Sequence, residues 1–345
     1  MDIQHIEGGL RKGMQRVAGL DNEQRKELFQ ATGLSMGLRP SAAEKDFWVC
    51  FMLDHLFNTC ALKERFVFKG GTSLSKVYHL IERFSEDIDL ILDWRTIIDD
   101  GTDPWDERSK TMQDRFNKQI NAEAAKYFRS VLVPLLNEEL SEKLGAGEWV
   151  EVDPEDEMVI NFKYPGIFEP DYLRPVVRLE IGPLAEWMPS HIAYVEPFAA
   201  EKYPQVFEKT KTQVFVIDAE RTFWEKITIL HKLANYPEEK SIPPRYARHL
   251  YDVYRLSNSW VKDSAFQRRE LLIKDVAFKQ KFYYSKGAHY DTASLNSIAL
   301  IPAVHTLPAL ESDYKAMRNM IYGDIPEFRD ILEYLKKLES EIHSL

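Results

Sequence analysis

The sequence predicts an α+β protein: a mixed sheet with packed helices, followed by a mainly helical C-terminal region. Strand-like runs fall only in the first part of the chain, the last of them at Val214–Ile217. Helical periodicity alternates with those runs and then continues, from Asp218, almost to the end. Strands and helices interleaved in one half, with helices alone in the other, indicate an α+β core with an appended helical domain. At 345 residues, 44% of them hydrophobic, the chain is long enough to bury two cores. The predicted division is 1–215 for the α/β domain with its N-terminal helices and 216–345 for the helical domain, with the active site expected in the cleft between them. No Gly-, Ser- or Pro-rich linker and no internal repeat marks the boundary, which falls near 210–218.

From about Asn22 to Thr59 the pattern is helical. Ser41 is placed to cap a helix, with Glu44 three residues on completing a capping box. Phe47, Val49, Cys50, Leu53, Leu56 and Phe57 supply its apolar face. Phe66-Val67-Phe68 is a short strand run broken by Gly70-Gly71. Leu74, Val77, Tyr78, Ile81 and Phe84 then recur at helical spacing, predicting an amphipathic helix. In the next run Ile88, Leu90 and Leu92 alternate with Asp87, Asp89 and Asp93, the period of a strand. Residues 108–144 read as mostly helical, ending at Gly145 and Gly147, and strand runs return at 158–162, 176–181 and 214–217. The last helix carries a stripe of Phe328, Ile331, Leu332, Leu335 and Leu338.

Composition narrows the function classes. With 29% charged and 12% aromatic residues the chain is not disordered, and ordinary Gly and Pro counts of 15 and 17 exclude collagen-like and low-complexity architectures. Cys50 and Cys60 are too few for a disulfide framework or a Cys-rich zinc site. Both lie in an apolar stretch where a buried free thiol is the commoner reading, consistent with a reducing compartment. The N-terminal MDIQHIEGGLRKGMQR lacks an apolar core, so no signal peptide is expected, and no apolar run is long enough to span a membrane. A cytoplasmic protein is predicted. A net charge of −10 argues against a general nucleic-acid coating protein. Between Arg245 and Lys286, however, ten Lys and Arg stand against four Asp and Glu, which suits either a local grip on a polyanion or a solvated helix face.

The chemistry concentrates in FKGGTSLSKVYHLIERFSEDIDL, residues 68–90. A strand runs into Gly70-Gly71, Thr72-Ser73 open a helix, and the next strand carries Asp87 and Asp89. Two glycines let backbone N–H groups approach a phosphate, and the helix start behind them offers unpaired donors and a positive dipole end. Thr72 or Ser73 can bond a phosphate oxygen or cap the helix. Asp87 and Asp89 share one strand face, where neighbouring carboxylates repel unless a cation lies between them. Hard divalent ions suit such oxygen ligands and also bridge nucleotide phosphates. A D-x-D or a Gly-Gly alone is more often an exposed strand face or a plain turn, so the signal lies in their conjunction.

Taken with its flanks, this segment resembles the AbiEii/AbiGii toxin family of nucleotidyltransferases, in the polymerase-β-like superfamily. EKDFWV at 44–49, FKGGTSLSK at 68–76, RFSEDIDL at 83–90, FWEKITILHK at 223–232 and RYARHLYDVYRL at 245–256 carry the resemblance, which spans roughly residues 40–305. It implies a nucleotidyltransferase-like sheet core. It implies Asp87 and Asp89 as ligands of Mg²⁺ (or Mn²⁺), and Lys69, Gly70, Gly71, Thr72 and Ser73 as the cradle of the NTP's terminal phosphates. Superfamily members add a third carboxylate on a later strand. Glu180 in VVRLEIG is the candidate, chosen by strand context rather than motif, with Arg178 as an ordinary ion-pair partner on the same face.

Lys226 and Asp252 match two further positions used around the active site. The resemblance has Lys226 countering phosphate charge, whereas a surface lysine lying along apolar neighbours explains it equally well. Asp252 shares a helix face with Arg245, Arg248 and Arg255. Either Arg248 forms an i,i+4 pair with Asp252, or the arginines meet phosphate while Asp252 orients Lys226 or the nucleotide. His231 and His249 are read as packing or hydrogen-bonding residues, not metal ligands. Residues 266–290 interleave Phe266, Phe278, Phe282, Tyr283, Tyr284 and Tyr290 with six Lys and Arg residues. That mixture is able to stack bases and follow an RNA backbone, or simply to fill a helical core.

The resemblance therefore implies a metal-dependent transfer of NMP from an NTP to an RNA acceptor such as the tRNA 3′ end, by the toxin of a toxin–antitoxin pair with a separately encoded antitoxin. An acceptor hydroxyl attacks the α-phosphate in line, two metals about 3.5–4 Å apart stabilise the attacking and leaving oxygens, and Glu180 ligates the second metal or takes the hydroxyl proton. NMP or phosphate transfer to a protein, or nucleotide binding without turnover, are the alternatives.

Overall fold

The computed structural model describes residues 14–98, 100–169, 174–184 and 189–345. The chain forms two compact units. The first comprises the chain up to Val77 with Ser85–Arg108 and Arg115–Val216; the second comprises Tyr78–Phe84, Ser109–Asp114 and Ile217–Leu345. Among the described residues no helix is long and apolar enough to cross a membrane.

The first unit is built on a seven-stranded mixed sheet. Its strands are β1 (Phe66–Lys69), β2 (Asp87–Leu92), β3 (Val150–Val152), β4 (Val159–Phe162), β5 (Val177–Gly182), β6 (Ser190–Val195) and β7 (Thr212–Ile217), in the order β3-β4-β5-β2-β1-β7-β6. β2 is central, antiparallel to β1 and parallel to β5, and β1 runs parallel to β7. The helices are α1 (Met14–Ala18), α2 (Asn22–Met36), α3 (Pro40–Asp54), α4 (Gly70–Lys76), α5 (Lys110–Tyr127), α6 (Val133–Leu144) and α7 (Phe198–Lys202), with the first turn of α5 belonging to the second unit. The α+β class read from the sequence is the class observed.

α3 is apolar nearly all round and is accordingly buried from Ala42 to Leu53. Trp48 and Phe51 pack edge-on to each other, and Phe51 stacks on Phe162 of β4. Three charged residues go down with the helix, and burial on that scale requires partners. Lys45 meets Glu86 at 2.5 Å, Asp46 meets Lys76 at 2.8 Å, and Glu44 accepts the backbone N–H groups of Ile167 and Phe168. The capping box predicted at Ser41 and Glu44 therefore does not form. The helix begins two residues earlier, at Pro40 with Arg39 at the cap position, the fixed φ of proline suiting the first helical turn, and Glu44 is engaged by the 167–168 backbone. A capping box does form at Asp21 and Gln24, opening α2.

The second unit is helical: α8 (Ala219–Ala234), α9 (Arg248–Ser257), α10 (Trp260–Gln267), α11 (Glu270–Phe282), α12 (Leu307–Met317) and α13 (Phe328–His343). It also holds Tyr78–Phe84, the later part of the stretch predicted as an amphipathic helix over 74–84. The helix stops at Lys76, and Tyr78–Phe84 runs on without helical structure, His79 taking a left-handed φ of 52°. Pairing to a distant segment overrides the local periodicity. The Phe84 N–H donates to the Met320 carbonyl, the Tyr322 N–H donates to the Glu82 carbonyl, and Arg83 bridges Ile321.

Candidate active site

β2 alternates as its sequence demands. Ile88 and Leu90 are buried, while Asp87 and Asp89 stand on the opposite face, half-buried. The parallel partner β5 sets Glu180 level with Asp89 and Arg178 level with Asp87. Directly paired residues of neighbouring strands share a face, so three carboxylates meet on one side of the sheet. Arg178 lies among them, its Nε 3.7 Å from Glu180 Oε1 and its Nη1 3.6 Å from Asp153. Both partners anticipated for Glu180 are thus present, the acidic pair and the arginine.

The loop from β1 into α4 fits against this face. Lys69, which precedes the first turn of α4, pairs with Asp89 across the β1–β2 ladder. Gly70 has φ 78°, and a Cβ there would lie 2.5 Å from Asp89 Cγ, inside the carboxylate. The glycine admits the Asp89 side chain as well as any approaching ligand. Thr72 and Ser73 are buried and turned toward the backbone. Thr72 Oγ1 donates to the Asp87 carbonyl and lies 2.9 Å from Ser85 Oγ, and Ser73 Oγ donates to the Gly70 carbonyl at 2.8 Å. What this turn leaves for a ligand is backbone N–H groups at the start of α4.

In the second unit, Lys226 of α8 and Asp252 of α9 come together, Lys226 Nζ lying 2.8 Å from Asp252 Oδ2. The other partner of Asp252 is Arg83, whose Nε and Nη2 donate to Oδ1 at 2.7 Å and to Oδ2 at 2.8 Å. These are the partners in place of the Arg248 considered from spacing; Arg248 itself is half-buried at the start of α9. Burial alone would raise the Asp252 carboxyl, but the two cations overcome it and hold the group well below the usual carboxylate range. One carboxylate thus faces two buried cations, a cluster with net positive charge. His249, one turn earlier, is held neutral by burial and by Lys226 and Arg248. Arg83 is the site residue that spacing did not single out. The one available signal is its place at the head of RFSEDIDL, because its partner Asp252 is 169 positions away.

The 266–290 stretch divides by role. Phe278, Phe282 and Tyr290 are buried, and Phe266 stacks on Trp224. Tyr283 and Tyr284 are 52% and 64% exposed, Lys274 and Lys286 of the same stretch are also exposed, and Lys110 Nζ lies 5.5 Å from the Tyr284 ring centre. His231 accepts the Ala299 N–H at Nδ1 and lies 3.0 Å from the His289 carbonyl at Nε2, a hydrogen-bonding residue as expected.

Asp87, Asp89 and Glu180 form an all-oxygen, acidic donor set, the chemistry a hard divalent cation requires. The overlap that a Cβ at Gly70 would cause shows that the turn is shaped around one of those donors.

A family model described as "Nucleotidyl transferase AbiEii toxin, Type IV TA system" matches residues 52–334. Among solved structures, the nucleotidyltransferase toxin MenT4 of Mycobacterium tuberculosis H37Rv is similar at 16% identity and a TM-score of 0.46, over 94% of this chain and 99% of that one. JHP933 of Helicobacter pylori is similar at 14% identity and a TM-score of 0.31, over 88% and 97%. No curated protein sequence matches.

Proposed function

Because the chain belongs to the AbiEii family of nucleotidyltransferase toxins of type IV toxin–antitoxin systems, we propose that it transfers NMP from an NTP to the 3′ end of an RNA, with tRNA as the acceptor and growth arrest as the effect. The family implies an NTP substrate, a divalent metal and an antitoxin. The finer reading rests on one observation, the common face of Asp87, Asp89 and Glu180 beside the Gly70 turn.

Asp87 and Asp89 would hold Mg²⁺ or Mn²⁺. When bound, the ion supplies positive charge that offsets the triphosphate and the developing pyrophosphate. The backbone N–H groups at the start of α4 receive terminal phosphate oxygens, and Lys69 adds charge at the same turn. Glu180 accepts the proton of the acceptor hydroxyl as its oxygen bonds to the α-phosphorus and the α–β bridging P–O bond breaks, releasing pyrophosphate. Lys226 and Arg83, oriented by Asp252, contribute cationic charge toward phosphate, and Arg248 acts with them. Exposed Tyr283 and Tyr284 with Lys274 and Lys286 take the unpaired RNA end.

The test incubates purified protein with Mg²⁺, each labelled NTP in turn and total tRNA, alongside Asp89→Ala. Label on RNA that vanishes in the variant supports the reading and names the nucleotide. Label on protein instead replaces the acceptor, and NTP binding without any labelled product removes the catalytic reading.

A further inference from the structure

We propose a zinc site in the first unit, formed by His55, Cys60 and Glu139, on residues that nucleotidyl transfer does not use. α3 runs directly into a π-helical turn, His55–Thr59, closed by the Cys60 N–H donating to the His55 carbonyl at 2.8 Å. Residues five apart point to different sides of an α-helix, and the wider π turn brings Cys60 back beneath His55. Glu139 arrives from α6. His55 Nε2, Cys60 Sγ and a Glu139 carboxylate oxygen lie within 4.8 Å of one another.

His55 Nε2 and Glu139 Oε2 are buried atoms 3.1 Å apart, and the Glu139 carboxylate also takes a hydrogen bond from the Cys60 thiol. Two ligands about 2 Å from one tetrahedral ion sit at about this separation. His55 and Cys60 are each 1% exposed, so two of the three donors are shut away from solvent.

The surroundings hold the ligands in place. Glu139 Oε1 accepts the Ala61 N–H at 2.8 Å, and the Leu62 N–H donates to Cys60 Sγ at 3.4 Å. His55 Nδ1 lies 3.1 Å from Thr59 Oγ1 and 2.8 Å from Lys143 Nζ. A thiolate, an imidazole and a carboxylate suit Zn²⁺, whose charge the thiolate and carboxylate cancel, and they do not suit Mg²⁺ or Ca²⁺. Three protein ligands leave a fourth position, on the side where Glu139 is 20% exposed. Lys143 is the one group that opposes a cation, and uptake balances as follows. The Cys60 thiol proton and the ring's Nε2 proton leave to solvent, while the Lys143 ammonium passes its proton to Nδ1 and remains as a neutral amine. The bound ion ties the end of α3 to α6.

Full-length protein, stripped with chelator, is titrated with Co²⁺ in excess Mg²⁺. The expected result is one Co²⁺ per chain with sulfur-to-cobalt charge-transfer absorption, displaced by Zn²⁺, and a Tm that rises with Zn²⁺. Oxygen ligands such as Asp87 and Asp89 give no such absorption, so the two sites are distinguished without any activity measurement. Cys60→Ser should abolish the band. Glu139→Gln, which keeps an acceptor for the Ala61 N–H, should weaken Zn²⁺ about tenfold or more with an unchanged circular dichroism spectrum. A folded wild type with no band, or a band that survives in Cys60→Ser, overturns the proposal. Should Cys60→Ser not fold, unchanged Zn²⁺ affinity in Glu139→Gln overturns it alone.

Discussion

At Gly70 a single carbon atom decides whether Asp89 can stand where it does. With φ at 78° and the Asp89 carboxylate occupying the space of a side chain, Gly70→Ala meets both backbone strain and a direct overlap. Strain of this kind costs about 1 kcal/mol, so the protein should stay folded with a Tm lower by a few degrees. Displacing a carboxylate from the proposed metal-binding face should instead lower kcat by on the order of 10²-fold. Single-turnover transfer measured beside thermal unfolding separates the two effects; a loss of activity no larger than the loss of folded protein would detach Gly70 from the site. Asp252 poses the opposite problem, since removing its charge strands two cations. Asp252→Asn should cost about 3–5 kcal/mol, the usual penalty for breaking a buried pair. The folded pKa lies below the unfolded one, so the carboxylate's contribution is complete above about pH 4 and is lost as the pH falls through the depressed value. Denaturant unfolding should therefore show a wild-type advantage that is level from pH 5 to 8 and shrinks in stronger acid. An advantage that grew with acidity would contradict the assignment.

Thr72 ties two elements together, α4 to the head of β2. Thr72→Val keeps the volume and removes the hydroxyl, leaving the buried Asp87 carbonyl short of a donor, for about 1–3 kcal/mol. Because that bond fixes where β2 begins, kcat should fall further than KM for the NTP rises. Equal effects on both would mean that the tie serves folding alone. Legibility follows the same scale. β2 could be read in advance because each strand residue reports its own face, so the alternation of Asp87 and Asp89 with Ile88 and Leu90 fixes the acidic side. Glu180 could be placed by strand context, though its level with Asp89 is a property of pairing. The segment after Lys76 misleads, because its apolar spacing is helical while residues near 320 bind the backbone of 82–84 outside any helix. β3 and β6 carry no run that stands out, the first only three residues long and the second polar at its start. Arg83 was beyond reach for the same reason: no local pattern announces a partner 169 positions away.

Across the whole molecule the proposed RNA acceptor meets a chain of net charge −10, which repels a polyanion on average. Local excess charge has to supply the attraction, and the exposed Lys274, Lys286, Tyr283 and Tyr284 sit in a stretch, 245–286, where ten Lys and Arg stand against four Asp and Glu. If they grip the acceptor, binding releases counterions there, and each phosphate contact adds about 0.7 to the slope of log affinity against log salt for single strands. The double variant Lys274→Glu/Lys286→Glu should then flatten that slope, read as log kcat/KM for tRNA, by about 1.4. On that reading KM for tRNA should rise about tenfold or more while KM for the NTP stays where it was. Tyr284→Ala should raise KM for tRNA without changing the slope, because stacking, worth about 1–3 kcal/mol per base, releases no ions. The two signatures are separable. Charge variants that leave the slope intact would move the RNA path off this face, whatever the fate of the nucleotide site.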